Sequence, residues 1–173
     1  MTKDSISIVD NFLDDETFSK IKNQFMSRNF NWHYQNTVVD NTDDELLNPD
    51  IYQFCHLIWS IHDGGILSDY YNCIKPLLNK LNAVSVLKIK ANLLTKRNHQ
   101  KPFKYHRDFI YPTAKTSIFY LNTNNGSTIF ANGQKVGSVK NRMVTFDNSL
   151  LHTGTPCTDK SVRVLLNINY FDY

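Results

Sequence analysis

The first third of the chain alternates strand-like and helical patterns. Polar and apolar side chains alternate from Ser5 to Val9, which is the period of a strand with one buried face. Asp14 then precedes apolar residues that recur at helical spacing as far as Phe25, and the acidic residues of the first turn suit the positive end of a helix. The pattern predicts a strand followed by an amphipathic helix.

A second strand and a second helix follow a break in this pattern. Residues 36–50 are rich in Asn and Asp, which favours an exposed loop. The apolar run from about Tyr52 to Ile61 predicts a strand. From Ile66 to Leu81 the apolar residues lie on one face of a predicted helix, which Pro76 is expected to kink.

The C-terminal half shows little helical periodicity. Its apolar runs are short and rich in β-branched and aromatic residues, and Asn/Gly turns separate them. The predicted strands cover residues 84–94, 117–121, 128–130, 143–146 and 162–170. We therefore expect an α+β, mainly β fold, a sandwich or barrel whose N-terminal helices cover one sheet.

Composition adds an expectation of one domain. Of the 173 residues, 41% are apolar and 20% are charged, which excludes a disordered chain, a coiled coil and a collagen. No linker or shift in composition divides the chain. We expect a single domain over residues 1–173, with the N-terminal strand and helices in about 1–82 and the sheet core in about 83–173.

Charge and cysteine content bear on partners and location. The formal net charge of +3 does not by itself indicate nucleic acid, and no apolar stretch approaches the length of a membrane span. No signal-peptide core follows the N-terminus. Cys55, Cys73 and Cys157 are odd in number and lack CxxC spacing, so we expect reduced thiols in a cytoplasm, that of a host cell if the protein is viral.

Candidate metal ligands lie in the C-terminal half. In His106-Arg107-Asp108 the two outer residues are two apart, and such residues point to one face of a strand. His152 follows near the end of a predicted strand. Two histidines and one carboxylate form the facial triad that holds Fe(II) and leaves positions open for other ligands, although zinc sites also use these residue types.

Arg163 is the candidate for binding an anion. It lies 11 residues after His152, at the start of an apolar strand, where a buried guanidinium needs an anionic partner. Its planar group matches a carboxylate in two hydrogen bonds, as expected for the distal carboxylate of a dicarboxylic acid. The alternative is a structural salt bridge.

The order of these residues resembles the Fe(II)/2-oxoglutarate-dependent oxygenases. His-x-Asp, a Gly-containing hairpin, His and then Arg follow one another as in that family, and the likeness, over about residues 84–173, looks closest to the prolyl 4-hydroxylase-like branch. Segments 116–122, 126–130 and 141–146 are similar to family strands. Ser127 departs from the pattern, because the family often has a second Gly there. The resemblance implies a double-stranded β-helix (jelly-roll) core.

The resemblance also implies cofactors and residue roles. Fe(II) would be held by His106, Asp108 and His152, with 2-oxoglutarate and O2 as co-substrates. Arg163 and Tyr120 would hold the far carboxylate of 2-oxoglutarate. A C–H bond would be hydroxylated while 2-oxoglutarate is decarboxylated to succinate and CO2.

Two asparagines are weaker candidates for the co-substrate pocket. Asn92 and Asn167 are polar residues among apolar neighbours in predicted strands. Either side chain faces the pocket or satisfies a backbone amide of the sheet, and the sequence favours neither interpretation.

The substrate is left open. Segment 95–107 is a basic loop whose Lys96, Arg97, Lys101 and Lys104 suit phosphates or acidic peptides, and the alternative is a solvated loop. We expect a peptidyl residue such as proline or a small molecule, with nucleic acid less favoured and no membrane. The rival functions are a cupin-like metal-binding module without 2-oxoglutarate activity and a catalytically silent binding module. The oligomeric state is not predicted.

Overall fold

A computed structural model gives the structure of residues 5–38 and 51–173. The helices of this part are α1 (Asp15–Phe25) and α2 (Tyr71–Lys80). The strands are β1 (Ser7–Val9), β2 (His33–Gln35), β3 (Gln53–Ser60), β4 (Gly65–Ile66), β5 (Ala83–Thr95), β6 (Lys115–Tyr120), β7 (Ser127–Phe130), β8 (Lys135–Gly137), β9 (Arg142–Asp147), β10 (His152–Gly154) and β11 (Val162–Asp172). Most of the loop predicted over 36–50 lies outside the described residues.

Two antiparallel sheets form the fold. The larger sheet has the order β1-β9-β6-β11-β5-β3-β2, with β4 paired to β3. The smaller sheet has the order β10-β7-β8, and a bridge between His106 and His152 extends it by one segment. The long pairing of β11 with both β5 and β6 forms the centre of the larger sheet.

The N-terminal elements form as the apolar pattern predicts, with one shift. Asp14 caps α1 by accepting a hydrogen bond from the Thr17 N–H at 2.8 Å. The second helix begins at Tyr71 rather than near Ile66, because Gly65–Ile66 pair with β3 as a short strand. Both helices bury their apolar faces against the larger sheet.

Strand β6 separates two hydrophobic cores. Phe119 packs with α1 and α2 on the outer face of the larger sheet, whereas Ile118 and Tyr120 point between the sheets. The alternation follows from the two-residue period of a strand. The inner face of the larger sheet therefore supplies both apolar and polar side chains to the space between the sheets, where the predicted site residues meet.

No helix in the described parts of the chain is long and apolar enough to cross a membrane.

Candidate metal centre

The structure brings His106, Asp108 and His152 together at one edge of the space between the sheets. One ligand atom of each lies within 4.8 Å of the others. The Nε2 atoms of His106 and His152 lie 3.9 Å and 3.8 Å from the Asp108 carboxylate oxygens. These separations suit three ligands that share one ion.

Backbone hydrogen bonds fix the two histidines relative to each other. His106 N–H donates to the His152 carbonyl at 2.9 Å, and His152 N–H donates back at 3.0 Å. Nδ1 of His152 lies 3.0 Å from the Leu150 carbonyl, and Nδ1 of His106 lies 3.2 Å from the Lys104 carbonyl. Because a carbonyl only accepts, each Nδ1 carries the proton and each Nε2 keeps a lone pair for a metal.

Asp108 reaches the centre by a different route from the one predicted. The sequence predicts that His106 and Asp108 share a strand, but only His106 forms a sheet bridge, and Asp108 lies in the bend that follows. From this bend the Asp108 carboxylate hydrogen-bonds to the larger sheet. The Asn167 side-chain amide of β11 donates to Asp108 Oδ2 at 3.0 Å.

A chain of polar side chains on the larger sheet supports this contact. Thr116 donates to Asn169 Oδ1 at 2.8 Å, and the Asn169 amide donates to Asn167 Oδ1 at 2.8 Å. Asn167 then donates to Asp108. Since each group orients the next, Asp108 Oδ2 is held and Oδ1 receives no hydrogen bond from the described residues.

Both titration shifts favour the forms that bind metals. Burial opposes ionisation of Asp108, but His152, His106 and the hydrogen bond from Asn167 outweigh it, so the pKa of the carboxyl lies below its usual value. Burial lowers the pKa of His152, and His106 adds to the effect while Asp108 opposes it. At neutral pH the ligands are therefore an ionised carboxylate and a neutral imidazole, as metal binding requires.

We expect Asn167→Ala to weaken Fe(II) binding about tenfold, because a carboxylate ligand that loses its shorter hydrogen bond loses orientation. The Thr116 hydroxyl, at 3.4 Å from the same oxygen, is the longer contact that remains. Anaerobic titration with Fe(II) in the absence of 2-oxoglutarate measures the affinity. Asn92→Ala is the matched control. Asn92 shares the inner face of the sheet, but among the described residues its amide hydrogen-bonds to the Lys90 carbonyl alone, at 3.4 Å. Equal losses in the two variants would contradict a positioning role for Asn167.

Arg163 lies in the same cavity as the triad and is 2% exposed. Its Nε donates to Ser138 Oγ at 2.7 Å, and its Nη2 donates to Thr128 Oγ1 at 3.3 Å. Within residues 5–38 and 51–173, no carboxylate lies at ion-pair distance from the guanidinium. Burial lowers the pKa of Arg163, yet an arginine stays protonated in proteins. The predicted alternative, a structural salt bridge, is therefore not formed with any described residue.

Tyr120 packs against Arg163 and does not line the cavity that the described residues form. Its hydroxyl is 2.7 Å from Thr128 Oγ1, and the Arg163 guanidinium carbon lies 5.5 Å from the centre of its ring. Burial raises the pKa of the Tyr120 hydroxyl, which is fully buried. Thr128 lines the cavity where the tyrosine hydroxyl was expected, so direct contact of Tyr120 with a co-substrate stays a prediction.

The cavity presents polar groups at two separate places along β11. Arg163 and Asn167, which donates to Asp108, lie four residues apart on one face of β11 with Leu165 between them. Leu94 and Ile118 line the same cavity. A dicarboxylate with a short hydrocarbon chain has this distribution of charge. The described residues therefore fit both an Fe(II) ion and 2-oxoglutarate.

Sequence reasoning placed some residues and missed others. Asn92 and Asn167 both line the cavity, which agrees with the interpretation that their side chains face the co-substrate pocket. The roles of Thr128 and Ser138 as Arg163 partners were missed, as was the contact chain that starts at Thr116. The available signal was strand alternation: Thr116 shares the face of Ile118 and Tyr120.

Comparison with known proteins gives structural matches alone. No protein-family model and no curated protein matches the chain. A 2OG-Fe(II) oxygenase family oxidoreductase from Burkholderia pseudomallei matches with a TM-score of 0.69 at 9% identity, over 95% of this chain and 84% of that chain. A prolyl hydroxylase from Trichoplax adhaerens, solved with a hypoxia inducible factor peptide fragment, matches with a TM-score of 0.61 at 16% identity, over 99% and 84%.

A third match is the epimerase SnoN from nogalamycin biosynthesis, in complex with Fe3+, alpha ketoglutarate and nogalamycin RO. Its TM-score is 0.61 at 13% identity, over 98% of this chain and 80% of that chain. At such identities the likeness establishes the fold, and the predicted double-stranded β-helix with N-terminal helices on one sheet is confirmed. The chain has the fold of the Fe(II)/2-oxoglutarate oxygenases, prolyl 4-hydroxylases among them, and carries a His-x-Asp…His triad within it.

Proposed function

We propose that this protein is an Fe(II)- and 2-oxoglutarate-dependent dioxygenase that hydroxylates a C–H bond. One observation carries the proposal: a buried guanidinium without a carboxylate partner among the described residues shares a cavity with a His-Asp-His triad. A buried charge of this kind needs an anion. A cupin-like metal site without 2-oxoglutarate would leave the buried charge of Arg163 without an anionic ligand.

The residues of the chain bind and orient the reactants. His106, Asp108 and His152 would hold Fe(II) on one face. Arg163 would bind the far carboxylate of 2-oxoglutarate, and Thr128 Oγ1 contacts both Arg163 and Tyr120. With O2, the iron centre supplies oxidative decarboxylation of 2-oxoglutarate to succinate and CO2 and insertion of one oxygen atom into a substrate C–H bond. The buried walls limit the access of water to this reaction.

The substrate class is proposed from likeness alone. The structures that match include one with a peptide and one with a small molecule, nogalamycin RO. We propose a peptidyl residue, such as proline, or a small molecule as the substrate of this chain. The proposal includes all of residues 1–173 in one catalytic domain. The reduced thiols of Cys55, Cys73 and Cys157 support a reducing, cytoplasmic location.

The test is an anaerobic titration of the metal-free protein with Fe(II) and 2-oxoglutarate. We expect the visible charge-transfer band that forms only when a keto acid chelates protein-bound iron. Asp108→Ala removes a ligand and should abolish the band, whereas Asp10→Ala, an exposed carboxylate paired with Arg142, serves as the control and should keep it. Iron binding without the band would support a cupin-like module, and no iron binding at all would support a silent binding module.

A further inference from the structure

A second cavity shares a wall with the cavity of the metal centre. It measures about 180 Å³, and Arg97, His99 and Lys101 line it, with no acidic residue among its described lining. Phe103 lines both cavities. These basic residues belong to segment 95–107, of which only Phe103 and His106 line the cavity of the metal centre. The basic side chains therefore face a separate space beside that cavity.

Backbone pairing places this cavity next to the metal ligands. Phe103 N–H donates to the Gly154 carbonyl at 3.1 Å, and Arg97 N–H donates to the Cys157 carbonyl at 2.9 Å. Gly154 is the last residue of β10, the strand that begins with the second histidine of the triad. The basic segment is therefore tied to the chain that leaves the metal centre, and the cavity lies further along the same pair of segments.

Arg97 stacks on an aromatic ring and has no counter-charge among the described residues. Its guanidinium carbon lies 4.1 Å from the centre of the Tyr52 ring, a stacking contact that fixes its position. Its Nη2 is buried and makes no hydrogen bond to a described residue, and no carboxylate of the described ranges lies at ion-pair distance from it. A guanidinium nitrogen that is buried without a described partner is stabilised by an anion in the adjoining space.

The other two basic residues add charge and donors. Lys101 N–H donates to His99 Nδ1 at 3.3 Å, so a neutral His99 ring carries its proton on Nε2 and keeps a donor for a ligand. Arg97 and Lys101 together carry two positive charges. Two charges favour a dianion such as a phosphate monoester over a single carboxylate.

We propose that this cavity binds a phosphate monoester group of the substrate, whose reacting carbon lies at the metal centre beyond Phe103. The inference rests on the proposed function, because the substrate role needs a working metal centre. It narrows the substrate to a phosphorylated molecule. Binding of phosphate itself does not depend on the metal and is tested separately.

The first test is calorimetric titration of the full chain with inorganic phosphate, with 2-oxoglutarate present at saturation so that Arg163 is occupied. We expect one site per chain. Lys101→Gln and Arg97→Gln should each weaken binding about tenfold, since each removes a charge-assisted contact. Lys96→Gln is the matched control, because Lys96 is exposed in the same segment but does not line the cavity. Lys101 is exposed as well, so Lys101→Gln should fold normally. It therefore tests the site even if Arg97→Gln fails to fold.

A second measurement ties the site to the metal centre. With Mn(II) in place of iron, bound phosphate should show paramagnetic broadening of its phosphorus NMR signal, and Lys101→Gln should remove the broadening. Phosphate that binds without broadening while Mn(II) is bound overturns the substrate role. If no metal binds, the proposed function fails while the calorimetric result for the cavity still stands.

Two further outcomes decide the proposal. No phosphate binding, or an equal loss in Lys96→Gln and Lys101→Gln, would overturn it and leave a solvated basic surface. Comparison of O-phosphoserine with a phosphoserine peptide identifies the source of the group. Equal affinity supports a small phosphorylated substrate, and tighter binding of the peptide supports a phosphorylated peptide.

Discussion

Arg163→Gln is expected to raise the 2-oxoglutarate concentration needed for half-saturation about a hundredfold, which corresponds to about 2.7 kcal/mol. The reason is the environment of the guanidinium, which is 2% exposed and has hydroxyl partners but no described carboxylate. An anionic ligand that loses a buried charge partner is left poorly compensated. Fe(II) affinity without 2-oxoglutarate should change less than about threefold, because the triad is untouched.

Arg142→Gln is the matched control for this prediction. Arg142 lies on β9 and makes two hydrogen bonds to the Asp10 carboxylate, at 2.6 Å and 2.9 Å, so its charge already has a partner. Its loss should leave 2-oxoglutarate binding unchanged. Titration of the charge-transfer band with 2-oxoglutarate at fixed Fe(II) gives the 2-oxoglutarate affinity of each variant. An unchanged 2-oxoglutarate requirement in Arg163→Gln would refute the assignment of the anion site.

The chemistry of the candidate site was predictable because a few residue types and their order define it. His106, Asp108, His152 and Arg163 are separated widely in sequence, yet strand ends in a two-sheet fold bring such positions together, and the structure places all four around one cavity. Strand boundaries were also close, since apolar alternation is a local property. The second helix began later than predicted, because Gly65 and Ile66 turn back to pair with the end of β3, and a strand of two residues is too short for apolar alternation to reveal.

The supports of the site were not predictable in the same way. That Thr128 Oγ1 contacts both the Tyr120 hydroxyl and the Arg163 guanidinium depends on the approach of the smaller sheet to the larger one. The contact of Asn167 with Asp108 depends on a bend that departs from the predicted strand. Such contacts join residues far apart in sequence, and residue type alone does not specify the register that creates them.

Gly126 offers a test that changes no polar group. A Cβ atom at this position would lie 2.7 Å from Cδ of Arg163 and 2.8 Å from Oδ1 of Asn124, closer than real Cβ atoms approach. Because the Arg163 stem is buried and its Nε is held by Ser138, the guanidinium must shift to admit the methyl group. We expect Gly126→Ala to weaken 2-oxoglutarate binding about thirtyfold, since small displacements of a buried charge disrupt its contacts.

Gly137→Ala is the control, because a Cβ there meets nothing within 4 Å. It should leave the 2-oxoglutarate affinity unchanged, and Fe(II) binding should survive in both variants. An Arg163→Ala background, which removes the colliding Cδ, provides the decisive comparison. If Gly126 acts through Arg163, Gly126→Ala adds nothing in that background, because two substitutions that act on one contact are not additive. An independent loss of affinity there would show that Gly126 shapes the cavity in another way.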